Sequence, residues 1–248
     1  MISLSSGCPI SKNIELLSSD DSGVRRQAVE FLGKCMNKVA VKPLLELLET
    51  EKDLKVRRAI VLSISLLGSN DVLPILLHIL ENDSDLDTRR NAAGGLRFFG
   101  DMINGMELIE LVLKETDESI RYVLVGTIIY LRDDSLIPKL LKLFESTKDV
   151  DIKGCILEII GSFNDSRTNE LLINTTAADS PEKLRLIATR SMGRLDEKEL
   201  IPAIYEVYKN DTSEEIIECA GKFLEEFSLL LGFTSIDQMV LNILDSQQ

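Results

Sequence analysis

The sequence predicts an all-α solenoid of about seven stacked helical hairpins closed by a C-terminal capping helix, and three observations carry that prediction. First, an apolar slot recurs every 32 residues, at Val24, Val56, Thr88, Ile120, Ile152, Leu184 and Ile216. A fixed period of this size is the signature of units that bury their apolar faces only by stacking on neighbours. Second, counting that slot as position 0, apolar residues follow at positions 3 or 4, 7, 8 and 11, as in Val56, Ala59, Ile60, Ile64 and Leu67. This is one face of a helix about four turns long. Third, aromatics make up only 5% of the chain and Trp is absent, so Leu and Ile carry a core suited to helices.

Each such helix, B, has a start signal. An acid stands three residues before the slot at Asp21, Asp53, Asp85, Asp117 and Asp149, where a carboxylate accepts from the free amides of the first turn. Ser180 followed by Pro181, and then Ser213, take over this duty in the last two repeats. A second helix, A, precedes each B helix and opens with Pro43, Pro74, Pro138 or Pro202; Met106 and Glu170 fill the slot elsewhere. The hairpins are expected at 9–36, 39–68, 71–100, 103–132, 134–164, 166–195 and 197–228. A capping helix over 234–245 follows, with Ile236, Met239, Val240 and Ile243 on one face. The whole chain, 1–248, reads as a single repeat domain.

Composition excludes several functions. A net charge of −13 argues against general nucleic-acid binding and against an anionic membrane surface. Residues 197–248 hold 11 acids and 3 bases, a net of −8 that leaves −5 for the rest. Cys8, Cys35, Cys155 and Cys219 lack metal-site spacing and are expected as reduced thiols, the last three at core positions. The first residues have no basic region or long apolar run, and no segment approaches a membrane span, so the expected compartment is cytoplasmic.

Asp-x-x-Val-Arg-Arg-x-Ala with a following Leu-Gly, as in Asp21 to Gly33 and Asp53 to Gly68, resembles HEAT repeats, most closely the short type of the phycobilisome lyases. The resemblance implies right-handed stacking and a B-helix ridge lining a concave surface. It also implies a ladder of Asp and Arg between adjacent repeats, at Asp21, Arg25, Asp53, Arg57, Asp85, Arg89, Asp117, Arg121, Asp149, Lys153 and Arg185. It encodes a repeat rather than a site.

The exposed ridge of helix B is expected at positions 2, 6, 9 and 13. It presents Arg26, Arg58, Arg90 and Tyr122 at position 2, Leu62 at 6, and Arg97 and Ile129 at 9, with Gly94, Gly126, Gly161 and Gly193 keeping the backbone low. Two readings stand: a strip for an acidic peptide or protein partner, or a solvated face whose arginines pair with Glu30 or Asp101. His78, the one histidine, has Glu81 as its only nearby ligand type, and no nucleotide or metal motif is present. No cofactor is expected. The reading is a non-enzymatic scaffold or adaptor; a bilin lyase or chaperone of the phycobilisome-lyase type is the alternative.

Overall fold

The computed structural model describes residues 10–100, 102–195 and 197–246, and every regular element among them is helical. The chain folds as two compact units, one ending at Leu131 and the other beginning at Arg132. The first holds α1 (Ile10–Leu16), α2 (Ser22–Lys34), α3 (Val41–Thr50), α4 (Leu54–Leu67), α5 (Leu73–Asn82), α6 (Leu86–Gly95), α7 (Gly105–Lys114) and α8 (Glu118–Leu131). Odd and even helices pair in sequence, and the B helices α2, α4, α6 and α8 pack one on the next. The second unit repeats the scheme with α9 (Ile137–Ser146), α10 (Val150–Ile160), α11 (Asn169–Thr175), α12 (Glu182–Leu195), α13 (Ile201–Asn210) and α14 (Glu214–Leu230). Its last helix, α15 (Ile236–Ser246), lies on α13 and α14.

The expected caps are present. Asp53 and Asp149 have extended backbone and each accepts from two first-turn amides, those of Lys55 and Val56 and of Asp151 and Ile152. Asp21, Asp85 and Asp117 act likewise. Ser213 is the exception: it holds the N-cap position of α14 without a side-chain cap bond. Helix α12 begins at Glu182, so Pro181 precedes its first turn. The prolines Pro74, Pro138 and Pro202 are each the second residue of an A helix, which is entered through a short 3-10 turn.

The slot residues are buried, apart from half-buried Val24. Thr88 fits this apolar column because its hydroxyl donates to Asp85 at 2.6 Å, which removes the cost of an unpaired buried polar group. The core is wider than the sequence pattern indicated. Position 5, which is Val29, Val61, Ala93, Val125 and Leu157, is also buried, and position 7 carries the buried hydroxyls Ser63, Thr127 and Ser191. These donate to the carbonyls of Val29 (3.1 Å), Ala93 (3.4 Å) and Leu157 (3.4 Å) on the preceding B helix. Helices α4, α6 and α12 are therefore each covered by their own A helix and by the B helices before and after them. Cys35, Cys155 and Cys219 are half-buried and in no disulfide; Cys8 lies outside the described residues.

Candidate docking surface on the B helices

The ladder exists with a different acid. Arg25 donates to both oxygens of Glu51 (2.7 and 2.8 Å), Arg57 meets Asp83 (2.5 Å), Arg89 meets Glu115 (3.2 Å) and Arg185 grips Asp211 (2.9 and 3.0 Å). Each acid stands 26 residues after its arginine, at the C-cap of the next A helix, and Glu51, Asp83 and Glu115 stand two residues before the expected partners Asp53, Asp85 and Asp117. The reason is geometric. The C-cap acids face the position 1 arginine of the previous repeat, whereas the one N-cap carboxylate described as reaching back, Asp85, meets the position 2 arginine Arg58. They also accept from following backbone amides, as Glu51 does from Lys52 and Asp53. The Arg25 guanidinium holds the Glu51 carboxyl below the usual range, and Arg185 does the same for Asp211. Arg121 turns instead to the Glu115 carbonyl (2.7 Å), and Lys153 sits over the Phe144 ring at 4.6 Å.

Position 2 joins this electrostatic frame. Arg58 donates to both oxygens of Asp85 (2.8 and 2.6 Å) and meets Asp87 at 2.8 Å, and Arg90 meets Asp87 (2.8 Å) and the Ser119 hydroxyl (2.8 Å). Arg58 thereby pulls the Asp85 carboxyl far below its ordinary value. Arg26 approaches Glu30 at 3.5 Å. The paired reading of these arginines thus describes Arg26, Arg58 and Arg90 in the folded chain, and Asp101 lies outside the described residues.

The exposed ridge runs through positions 2, 6 and 10, not 2, 6, 9 and 13. At 100° per residue, position 9 falls at the edge of the arc that packs on the next B helix, so Gly33, Ser65 and Gly161 are buried there. A Cβ on Gly33 would lie 2.6 Å from Ser63 Oγ, and one on Gly161 2.2 Å from Ser191 Oγ. Gly193 is likewise a close-approach site, against Phe223. Arg97 is exposed because α6 tightens into a 3-10 turn over Leu96–Phe99, and its guanidinium lies 4.9 Å from the Phe98 ring; Ile129 is half-buried.

Across four consecutive B helices the ridge reads Arg26, Glu30 and Lys34 on α2, and Arg58, Leu62 and Leu66 on α4. It continues with Arg90, Gly94 and Phe98 at α6, and Tyr122, Gly126 and Tyr130 on α8. Charge gives way to apolar surface along the series. Tyr122 is 73% exposed, Tyr130 64% and Leu62 49%, with Phe98 and Leu66 less open at 40% and 38%. On the same ridge a Cβ added at Gly94 would meet Val123 at 3.5 Å, and one added at Gly126 would touch nothing within 4 Å. Phe98, Leu66 and Tyr130 occupy position 10, outside the expected ridge; their 32-residue spacing is the signal in the sequence. Surplus positive charge comes from exposed Lys34 and Arg97.

His78 is exposed, its ring nitrogen 3.2 Å from the Asn82 amide. Among the described residues no three His, Cys, Asp or Glu side chains gather as metal ligands, and no helix is long and apolar enough to cross a membrane.

A family model described as HEAT repeats matches residues 10–97. No curated protein matches the chain. Among solved structures it is similar to YibA of Escherichia coli, with 17% identity over 95% of this chain and 90% of that one and a TM-score of 0.52. It is also similar to the complex of CpcE and CpcF of phycocyanin lyase from Nostoc sp., with 21% identity, 96% and 94% coverage and a TM-score of 0.45. Human deoxyhypusine hydroxylase in complex with glycerol gives 13% identity, 88% and 84% coverage and a TM-score of 0.41. At these identities the likeness to the E. coli structure is one of fold.

Proposed function

We propose that this chain, whose residues 10–97 match a model of HEAT repeats, is a non-enzymatic interaction scaffold acting in the cytoplasm, and that it holds an acidic partner segment on the B-helix face of its first unit. The observation that carries the reading is the run of exposed Leu62, Leu66, Phe98, Tyr122 and Tyr130 along the ridge that also holds Gly94 and Gly126. Exposed aromatic side chains are the anchors that dominate interface energetics. The B helices make the broad contacts between repeats, which supports placing this face on the concave side. Lys34 and Arg97 supply the complementarity for acidic residues, since Arg58 and Arg90 are already neutralised by Asp85 and Asp87.

The test is crosslinking in the native cell with a photoreactive phenylalanine at Tyr122, compared with the same probe at Leu113, an exposed A-helix position. Adducts specific to Tyr122, and lost with Leu62→Ser and Tyr130→Ala, are expected. Adducts that are identical from both positions, or unchanged in the double variant, would sink the docking reading. Charge reversal of Lys34 and Arg97 should weaken binding of the crosslinked partner about tenfold at low salt, with less effect at high salt.

A further inference from the structure

The geometry points to a second docking surface, in which a groove between α13 and α15 takes a basic amphipathic helix of a partner protein. The groove encloses about 480 Å3. Val240 is buried beneath it, Pro202 and Tyr205 line one side, and Leu241 and Leu244 stand at the other, 63% and 42% exposed.

The corresponding grooves between other A helices are built differently. The one between α5 and α7 contains Arg89 and Glu115, and the one between α11 and α13 contains Arg185 and Asp211. Each is closed by a rung of the ladder. The 26-residue step that takes Arg185 to Asp211 takes Ile217 to Ile243, so both partners of the next rung are apolar. The lining of this groove includes neither isoleucine; it presents Leu241 and Leu244 where the other two linings hold an ion pair.

Its charge selects the occupant. Asp237 and Glu206 line the groove, Asp237 accepting from the Tyr205 hydroxyl at 2.7 Å, and Lys209 is the single base of the lining. Asp245 extends the acidic edge one residue beyond Leu244, in a segment with 11 acids and 3 bases. A groove between two helices accepts a third by interdigitation of side-chain ridges, and α15 at 11 residues offers about 16 Å of length. Leucines of the incoming helix meet Leu241 and Leu244 while its lysines reach Glu206, Asp237 and Asp245. A second copy of this chain is disfavoured by the repulsion between two C-terminal segments of net −8.

The experiment uses the full chain and a fluorescein-labelled leucine–lysine peptide of helical pattern, with a leucine–glutamate peptide of identical leucine spacing as control. Anisotropy should show saturable binding of the first and none of the second. Leu241→Ser with Leu244→Ser should weaken binding about tenfold with an unchanged melting curve. Glu206→Gln with Asp237→Asn should weaken it several-fold and supplies an independent readout should the serine variant unfold. Equal binding by wild type and both variants overturns the assignment, as does equal binding of the two peptides. Sedimentation of the wild type as a dimer that the serine variant breaks would also overturn it, in favour of self-association.

Discussion

Arg185 holds both carboxylate oxygens of Asp211, at 2.9 and 3.0 Å, while a third guanidinium bond reaches the Ser180 carbonyl at 2.9 Å. With Arg185 only 7% exposed, removing it strands a buried carboxylate. Arg185→Ala should destabilise the second unit by roughly 3 kcal/mol in urea unfolding. Arg185→Lys should recover less than half of that, because one ammonium cannot reproduce the planar fork.

Acid should unfold the chain through these carboxylates. Glu51, Asp53, Asp85, Asp117 and Asp211 are all held below their ordinary values, and Asp165, beside Arg167, is lowered to about 2. A carboxyl depressed in the folded state binds fewer protons there than in the unfolded chain. Its contribution is therefore complete above the unfolded value near 4 and is lost as pH falls toward the folded one. Urea midpoints should be flat from about pH 7 to 5 and drop steeply from about pH 4 to 2. Asp211→Asn should flatten that slope.

Two glycines on B helices should respond oppositely to one methyl group. Gly33→Ala drives a Cβ to 2.6 Å from Ser63 Oγ and 3.0 Å from its Cα, so α4 must shift, at a cost of about 1–3 kcal/mol. Gly126→Ala meets open space and should stabilise by up to about 1 kcal/mol through helix propensity. Thermal unfolding of the two variants separates close packing from an open ridge.

Met36 sits with φ 52° at the end of α2, where Gly68, at the same repeat position, has φ 57° at the end of α4. A side chain in the left-handed region costs roughly 1–2 kcal/mol, so Met36→Gly should raise the first unit's unfolding midpoint despite the loss of a side chain.

What was legible in the sequence is what the 32-residue period repeats in most copies, Thr88 being the one polar member of the slot. The slot from Val24 to Ile216 and the five N-cap aspartates belong to this class, because each is fixed within its own helix. The ladder acids were harder to see: their column runs Glu51, Asp83, Glu115, Thr147, Asp179 and Asp211, interrupted by threonine, and a nearer acid already explained the arginines. The ridge was displaced for a related reason. A helical wheel knows the covering A helix but not the neighbouring B helix, whose contact with positions 5 and 9 rotates the open arc toward Leu66, Phe98 and Tyr130.

The hydroxyls at position 7 occur at Ser63, Thr127 and Ser191, spaced 64 residues apart, and Ser63 and Ser191 face Gly33 and Gly161. Phe31, Gly95, Ile159 and Phe223 occupy the alternate copies. Neighbouring repeats thus differ at position 7 of their shared seam, and a hydroxyl of the kind that faces Gly33 recurs there only in every second repeat. A 64-residue excision that brings Thr127 to Gly33 sets a hydroxyl back against that glycine, whereas a 32-residue excision brings Gly95 there and leaves the seam without one.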